Sequence, residues 1–228
     1  MTIGVEFGTD MQFFEQTTYS FIRSNNIYGN SYGASSYQTI ATSLKNWNTG
    51  IKVGLITKNP RFELFSGIRY TNIKSKMYDN SSMGYFFIIL KQEEQTTEYV
   101  RVIDINQSSN YLGVPIEASF FISKPHLFTP FIKLGVSVNY RISLVEEVNF
   151  YNDAMNNYKS DVLAKFNETD DFYSTGYFSL GIRIGQENKP NVRFEFKAPT
   201  FYFSKNTSSF VEASNYGIGF QFNFQMPI

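Results

Sequence analysis

The chain has 228 residues with 20 basic and 20 acidic side chains, a formal net charge of zero and no cysteine, and its mean hydropathy is −0.26. No Lys/Arg block marks a nucleic-acid surface and no long charge run marks a disordered tail, while the lack of cysteine removes disulfides, thiolate metal sites and a Cys nucleophile. No segment approaches the roughly 20 apolar residues of a transmembrane helix, and the 18% aromatic content, with 24 Phe and 16 Tyr, favours strands.

Eight segments alternate apolar with polar or small side chains, the period-two signature of a strand. The first, Thr2–Phe13, places Ile3, Val5, Phe7, Met11 and Phe13 on one face. It starts at once, with no basic n-region or apolar h-region, so an exported chain is expected to be a mature form whose signal peptide is missing. Trp47–Ile56 follows with Trp47, Ile51, Val53 and Leu55, then Arg61–Thr71 with Phe62, Leu64, Ile68 and Tyr70. Asn110–Ile122 carries Leu112, Val114, Ile116, Ala118 and Phe120, and Phe128–Leu144 carries seven such residues from Ile132 to Leu144. Tyr173–Ile184 carries Phe178, Leu180, Ile182 and Ile184, and Val192–Phe203 carries Val192, Phe194, Phe196, Ala198 and Tyr202. The last, Asn215–Met226, sets Tyr216, Ile218, Phe220, Phe222, Phe224 and Met226 against a wholly polar or small face. Each is about as long as a tilted membrane-spanning strand, or longer.

Three connections are short and turn-like: Thr57–Pro60, Ser123–Leu127 and Gly185–Asn191. Four are long, running roughly 14–46, 72–109, 145–172 and 204–213. Short turns at one end and long loops at the other is the outer-membrane pattern of periplasmic turns and extracellular loops. A soluble lipocalin-like barrel also alternates, with its apolar face inside. Three observations favour lipid outside. The apolar faces carry no Asp, Glu, Lys or Arg, as a lipid contact requires. They are too bulky for the interior of an eight-stranded barrel, whereas the other face is rich in glycine. Trp47, Tyr70, Tyr140, Tyr202 and Tyr216 lie near the long-loop end of their strands, where an interfacial aromatic belt is expected.

The expected fold is therefore all-β: a single domain, 1–228, forming an eight-stranded antiparallel transmembrane barrel. Its inward face holds Glu6, Asp10, Glu63, Glu117 and Glu195 against Lys52, Arg61, Arg69, Lys133, Arg141, Arg183, Arg193 and Lys197, five acids to eight bases. In so narrow a lumen these groups must pair, so a lumen charge network of Glu6, Lys52, Glu63, Arg69, Glu117, Lys133, Arg141, Arg183, Arg193, Glu195 and Lys197 is expected to fill it. An ion or proton path is the sharper alternative.

The segment Tyr111-Leu112-Gly113-Val114-Pro115-Ile116-Glu117-Ala118, a short turn, and Pro130-Phe131-Ile132-Lys133-Leu134-Gly135-Val136-Ser137-Val138 resemble the paired strands of the PorT-like outer-membrane β-barrel family of Bacteroidota. The resemblance implies an OmpX-like barrel in the outer membrane and implies little about activity, although some members are linked to protein secretion.

His126 is the only histidine and lies in a short turn. Barrel hydrolases use a histidine near the opposite end, so no enzyme is expected, and no transition-metal site or other cofactor is expected either. The acid pairs Asp170-Asp171, Glu146-Glu147 and Glu93-Glu94 are of the kind that meets a divalent cation, though such pairs are more often solvated. The long loops are the best functional candidates. Tyr85, Phe86, Phe87, Ile88, Ile89 and Leu90 form an unbroken apolar run that pairs in prospect with 99–105 as a hairpin. It either packs on other loops, docks a partner or lipid surface, or, least favoured, crosses the membrane and makes ten strands. A short helix is expected around 153–166. The expectation for function is a non-enzymatic outer-membrane barrel with a plugged polar lumen, whose extracellular loops bind a protein of an envelope complex or another envelope ligand. Lipid and lipopolysaccharide are its surroundings, and nucleic acid is no partner. The alternatives are a narrow channel or secretion component and, last, a soluble carrier.

Overall fold

Each long strand of an alternating chain must find partners for its N–H and C=O groups, and here the strands do so by closing on themselves. The computed structural model describes all residues except 16–18, 25–39, 58, 60, 81–82, 93–96, 124–125, 187–188 and 204–205. Its strands are β1 (Thr2–Glu15), β2 (Ile22–Ser24), β3 (Ile40–Ile56), β4 (Phe62–Asp79), β5 (Phe86–Gln92), β6 (Thr97–Phe121), β7 (Phe128–Phe150), β8 (Phe172–Ile184), β9 (Asn191–Tyr202) and β10 (Glu212–Pro227). Eight of them form an antiparallel meander, β1-β3-β4-β6-β7-β8-β9-β10, and β10 returns to β1 to close the ring. Closure leaves the ring without the exposed edges that invite aggregation. β5 pairs with the far end of β6, and β2 pairs with β5, outside the ring.

The three short connections and both chain ends gather at one end, where the Ile228 N–H donates to Met1 O at 3.0 Å. His126 lies there, exposed, its backbone hydrogen-bonded to the Thr129 hydroxyl. Over most of the wall the outward residues are apolar and exposed, as at Phe7 (55%), Ile68 (58%), Leu134 (64%) and Phe220 (50%). The inward ones are polar and buried, including Glu6, Arg69 and Glu117. This is the reverse of a soluble barrel, whose apolar face is inside.

Four strands run well past the ends expected from their apolar alternation. β3 begins at Ile40 rather than Trp47, β4 ends at Asp79 rather than Thr71, β6 begins at Thr97 rather than Asn110, and β7 ends at Phe150 rather than Leu144. Above the level of Trp47, Tyr70 and Tyr140 the wall inverts. Ile40, Met77, Ile105, Val148 and Phe150 now face inward and are buried, while Lys45, Lys74, Lys76, Asn106 and Glu147 face outward. The strand period persists and its polarity changes, which is why the apolar pattern stops where the strand does not.

Among the described residues, register shifts interrupt the ladders in five places. The β9 register slips between Lys197 and Thr200, around Pro199, which has no N–H for the ladder. Beyond it Phe201 faces outward and Tyr202 inward, so Tyr202, at 2% exposure, is not part of the aromatic belt. It packs with Ile73, Tyr111 and Tyr173 inside the barrel. The other shifts fall at Ile142 of β7 and Ile103 of β6, between Ile89 and Lys91 of β5, and between Gln12 and Phe14 of β1.

Candidate functional site: a filled lumen and a capped mouth

The lumen is filled in layers. At mid-height Glu117 stands at the centre of a network, for its neighbours come from four other strands. Glu117 Oε2 accepts from Lys52 Nζ at 2.6 Å and Lys133 Nζ at 3.1 Å. Its Oε1 accepts from Arg69 Nη2 at 2.8 Å and from the Tyr177 hydroxyl. Arg69 Nε reaches Glu6 Oε1 at 2.6 Å, and Lys52 and the Gln221 amide also meet Glu6. Lys133 continues to Glu195 at 2.5 Å, which takes a further bond from Asn223 at 2.6 Å. Lys197 pairs with Asp10 at 3.1 Å, and Asn48 donates to the same carboxylate at 2.9 Å. Four carboxylates, of Glu6, Asp10, Glu117 and Glu195, thus meet four cations, of Lys52, Arg69, Lys133 and Lys197. Buried charge is tolerable only when paired and hydrogen-bonded in this manner.

Toward the short-turn end a second cluster joins Glu63 to Arg193 at 2.8 Å and Arg183 at 3.8 Å. The second cation is accommodated by aromatic faces: Arg183 lies 4.2 Å from the Phe121 ring centroid, and Arg193 5.1 Å from that of Phe65. Such stacking offsets part of the lost hydration of a guanidinium.

Two of the bases expected in the network lie outside it. Arg141 keeps the inward parity of Lys133, opposite Tyr111, but stands at the rim, where it donates to Thr169 O at 3.0 Å and to the Asp171 carboxylate. Arg61 lies in the turn before β4, its N–H donating to Asn59 Oδ1. The apparent excess of base therefore shrinks, within the network, to a single charge, held at the Phe121 end. Tyr177, Gln221 and Asn223 complete the network; alternation puts all three on the inward face but does not say which carboxylates they meet. Tyr177 shares the strand parity of Arg183, and that parity was the available signal.

Above the charged layer sit Tyr111, Tyr173 and Tyr202, and above them the last long connection turns back into the barrel. Thr207, Ser208, Ser209, Phe210 and Val211 are all buried. The Thr207 hydroxyl donates to Gln12, the Ser208 hydroxyl to Ser75 at 2.8 Å, and the Ser209 N–H to Gln107 Oε1 at 3.0 Å. Nothing periodic in this stretch announces that it closes the mouth.

A hydrophobic cap sits on this closure. Phe210 and Val211 pack with Ile40, Met77, Ile105, Val148 and Phe150 from the ring, and with Phe86, Ile88, Val100 and Val102 from the β5–β6 hairpin. The expected helix is present as a 3-10 turn, Asp153–Tyr158, followed by α1 (Lys159–Leu163). It brings Val162 into the cap, while Phe166 stacks on Phe210 with centroids 5.1 Å apart. Outside the ring, the Glu98 carboxylate, by hydrogen bond and charge, raises the Tyr158 phenol above its ordinary pKa.

The apolar run 85–90 is not a continuous docking strip. Phe86 and Ile88 are fully buried and Leu90 packs against the cap, because β5 is a strand and alternates in space where its sequence does not. The outward residues instead join an aromatic patch. Arg101 lies 5.7, 5.8 and 5.9 Å from the ring centroids of Tyr85, Phe87 and Tyr151, and Phe87 meets Tyr99 edge-on at 5.2 Å. Tyr99 and Tyr151 are 51% and 57% exposed. Trp47 and Tyr70 stack at 5.4 Å on the outer wall, and Tyr140 and Tyr216 are also exposed there. Among the described residues no three His, Cys, Asp or Glu side chains converge as a metal site; Glu93-Glu94 lie outside the described residues.

No protein-family model matches the sequence, and no curated protein matches it. Among solved structures the chain is similar to the crystal structure of the outer membrane protein OprG from Pseudomonas aeruginosa, at 9% identity and a TM-score of 0.39, over 100% of this chain and 95% of that one.

Proposed function

We propose that the protein is a non-conducting outer-membrane barrel that anchors a rigid surface platform and binds an envelope partner through it. The observation that carries this reading is the closed mouth: Thr207–Val211 inserted over the charged layer and sealed by the apolar cap. The outward apolar belt and its inversion above Trp47 and Tyr70 support a bilayer crossing. Charge at the midplane of such a belt costs roughly 2–4 kcal/mol and far less beyond its interfaces, which matches lysines only above the rings. The turn asymmetry puts the short-turn end in the periplasm. The residues of Tyr111–Ala118 and Pro130–Val138 support the finer reading, a PorT-like or OmpX-like barrel of Bacteroidota.

The binding surface in this reading is the patch of Tyr85, Phe87, Tyr99, Arg101 and Tyr151. Tyr and Arg dominate the energetics of protein interfaces, and here they are pre-ordered by stacking. The test compares affinity purification from native membranes for the wild-type chain and a Tyr99→Ser/Tyr151→Ser variant, alongside planar-bilayer recordings. Loss of a partner from the variant, with silent bilayers for both, is expected. Unchanged partners would remove the patch from the reading, and discrete wild-type channels would overturn the closed lumen. Point substitutions are used because a deletion of residues 84–106 would take Phe86, Ile88, Val100 and Val102 out of the cap.

A further inference from the structure

The upper outer wall carries a basic cluster that the barrel's own packing does not explain. Trp47 pairs across the strands with Asn72, which pairs with Asn110. One outward row beyond, Lys45 lies directly opposite Lys74, which lies opposite Ser108. The next row is Ser43, Lys76 and Asn106. Like charges directly opposite each other destabilise a sheet. Among the described residues no acidic side chain pairs with Lys45 or Lys74. The nearby Asp104 is occupied, holding Lys76 at 3.0 Å and accepting from Asn106 at 2.7 Å and Asn149 at 2.6 Å. Lysine on a strand edge deters aggregation, which suits Lys45, where β3 has parted from β1. It does not suit Lys74 or Lys76, because β4 is paired on both sides.

The three lysines line a recess of about 390 Å³ together with Ser43, Ser108 and Asn106, which supply neutral hydrogen-bonding groups, and with Glu147 on its β7 side, so the lining keeps a net positive charge. The stacked rings of Trp47 and Tyr70 lie just below it, at the head of the apolar wall. A ligand that satisfies the whole arrangement is anionic at one end and apolar at the other. We infer that this recess binds a phosphate on the headgroup of an outer-leaflet glycolipid, with the acyl chains descending past Trp47 and Tyr70. The inference rests on the outer-membrane reading above, which sets the lysines at outer headgroup height.

The test uses the full chain folded in detergent and native mass spectrometry with diphosphoryl lipid A, its dephosphorylated form, and phosphatidylglycerol as separate probes. The wild-type barrel is expected to retain diphosphoryl lipid A in preference to the other two. A Lys45→Ser/Lys74→Ser variant is expected to bind it roughly thirtyfold more weakly, taking each lysine at an anionic surface as a factor of about five. Lys159→Ser, on α1, is expected to change nothing. Heat-modifiable gel migration reports folding of each variant, and the wild-type comparison of phosphorylated with dephosphorylated lipid stands without any variant. Equal retention of these two lipids, or of lipid A by wild type and the double variant, overturns the inference. So does equal retention of phosphatidylglycerol, which would mark a general anionic attraction. A wild-type chain that stays soluble without detergent and does not enter lipid vesicles overturns the membrane reading itself.

Discussion

Lys52 Nζ lies 2.6 Å from Glu117 Oε2, reaching from β3 to β6 past the intervening β4. Glu117 also receives Lys133, Arg69 and Tyr177. Neutralising this one carboxylate takes one of two partners from each of three cations, leaving Lys52 and Arg69 to share Glu6 and Lys133 with Glu195 alone. Breaking a buried ion pair from one side costs about 3–5 kcal/mol, so Glu117→Gln is expected to lower barrel stability by that order in urea unfolding from lipid vesicles. Planar-bilayer current is expected to stay at zero, because the layers above and below remain. A stable Gln variant would refute the structural role.

Tyr177 depends on a glycine. A Cβ built at Gly135 falls 2.4 Å from Tyr177 Cζ, so β7 must be bare where the phenol crosses to Glu117. Gly135→Val is expected to expel the ring and destabilise the barrel more than Tyr177→Phe. The Phe variant removes only a donor to a carboxylate, at a cost of about 1–3 kcal/mol. Urea midpoints of the two variants, measured side by side, check the order.

Val136 and Val145 are both exposed, outward residues of β7, at 54% and 50%, yet they lie on opposite sides of Tyr140. If the belt is in lipid, Val136→Arg costs roughly 2–4 kcal/mol and Val145→Arg about 0–1 kcal/mol. Equal penalties in vesicle unfolding would contradict the placement of the interface.

Trp47 is the only tryptophan, so its fluorescence reports one depth. In vesicles its emission is expected to shift to the blue. Lipids brominated near the headgroup are expected to quench it more strongly than lipids brominated near the chain ends.

Phe210 joins the inserted segment to the cap, fully buried against Phe166. Phe210→Ala is expected to cost about 3–5 kcal/mol where the cap cannot collapse around the hole. Limited proteolysis of folded barrels is then expected to cut the long-loop end faster, while the strands of the ring below the cap stay protected. Unchanged proteolysis would show that the cap does not depend on this ring.

Much of the barrel was legible residue by residue. The alternation of Phe220, Phe222 and Phe224 with Gln221 and Asn223 declares both a strand and its two faces, because side-chain direction in a strand is a local property. The same logic placed Glu6, Lys52, Glu117 and Lys133 inside. It failed at Tyr202, just beyond an irregularity in the ladder that resets the phase; Arg141 keeps its inward parity but stands at the rim, where loop residues take it from the network. At Phe86 and Ile88 it left packing, docking and crossing all open, and the packed hairpin is the one found, because six consecutive apolar residues hide a strand with a buried side and an outward aromatic one.

The amino-acid sequence by itself determined the strands, the side of each that excludes charge, and the end that carries the short turns, since each follows from spacing along a few residues. Tertiary structure alone decided which charges meet, that Thr207–Val211 closes the mouth, and that the wall inverts above Trp47 and Tyr70. Those depend on the register between strands and on closure of β10 against β1, contacts between residues more than 200 positions apart in the chain, and no local pattern encodes them.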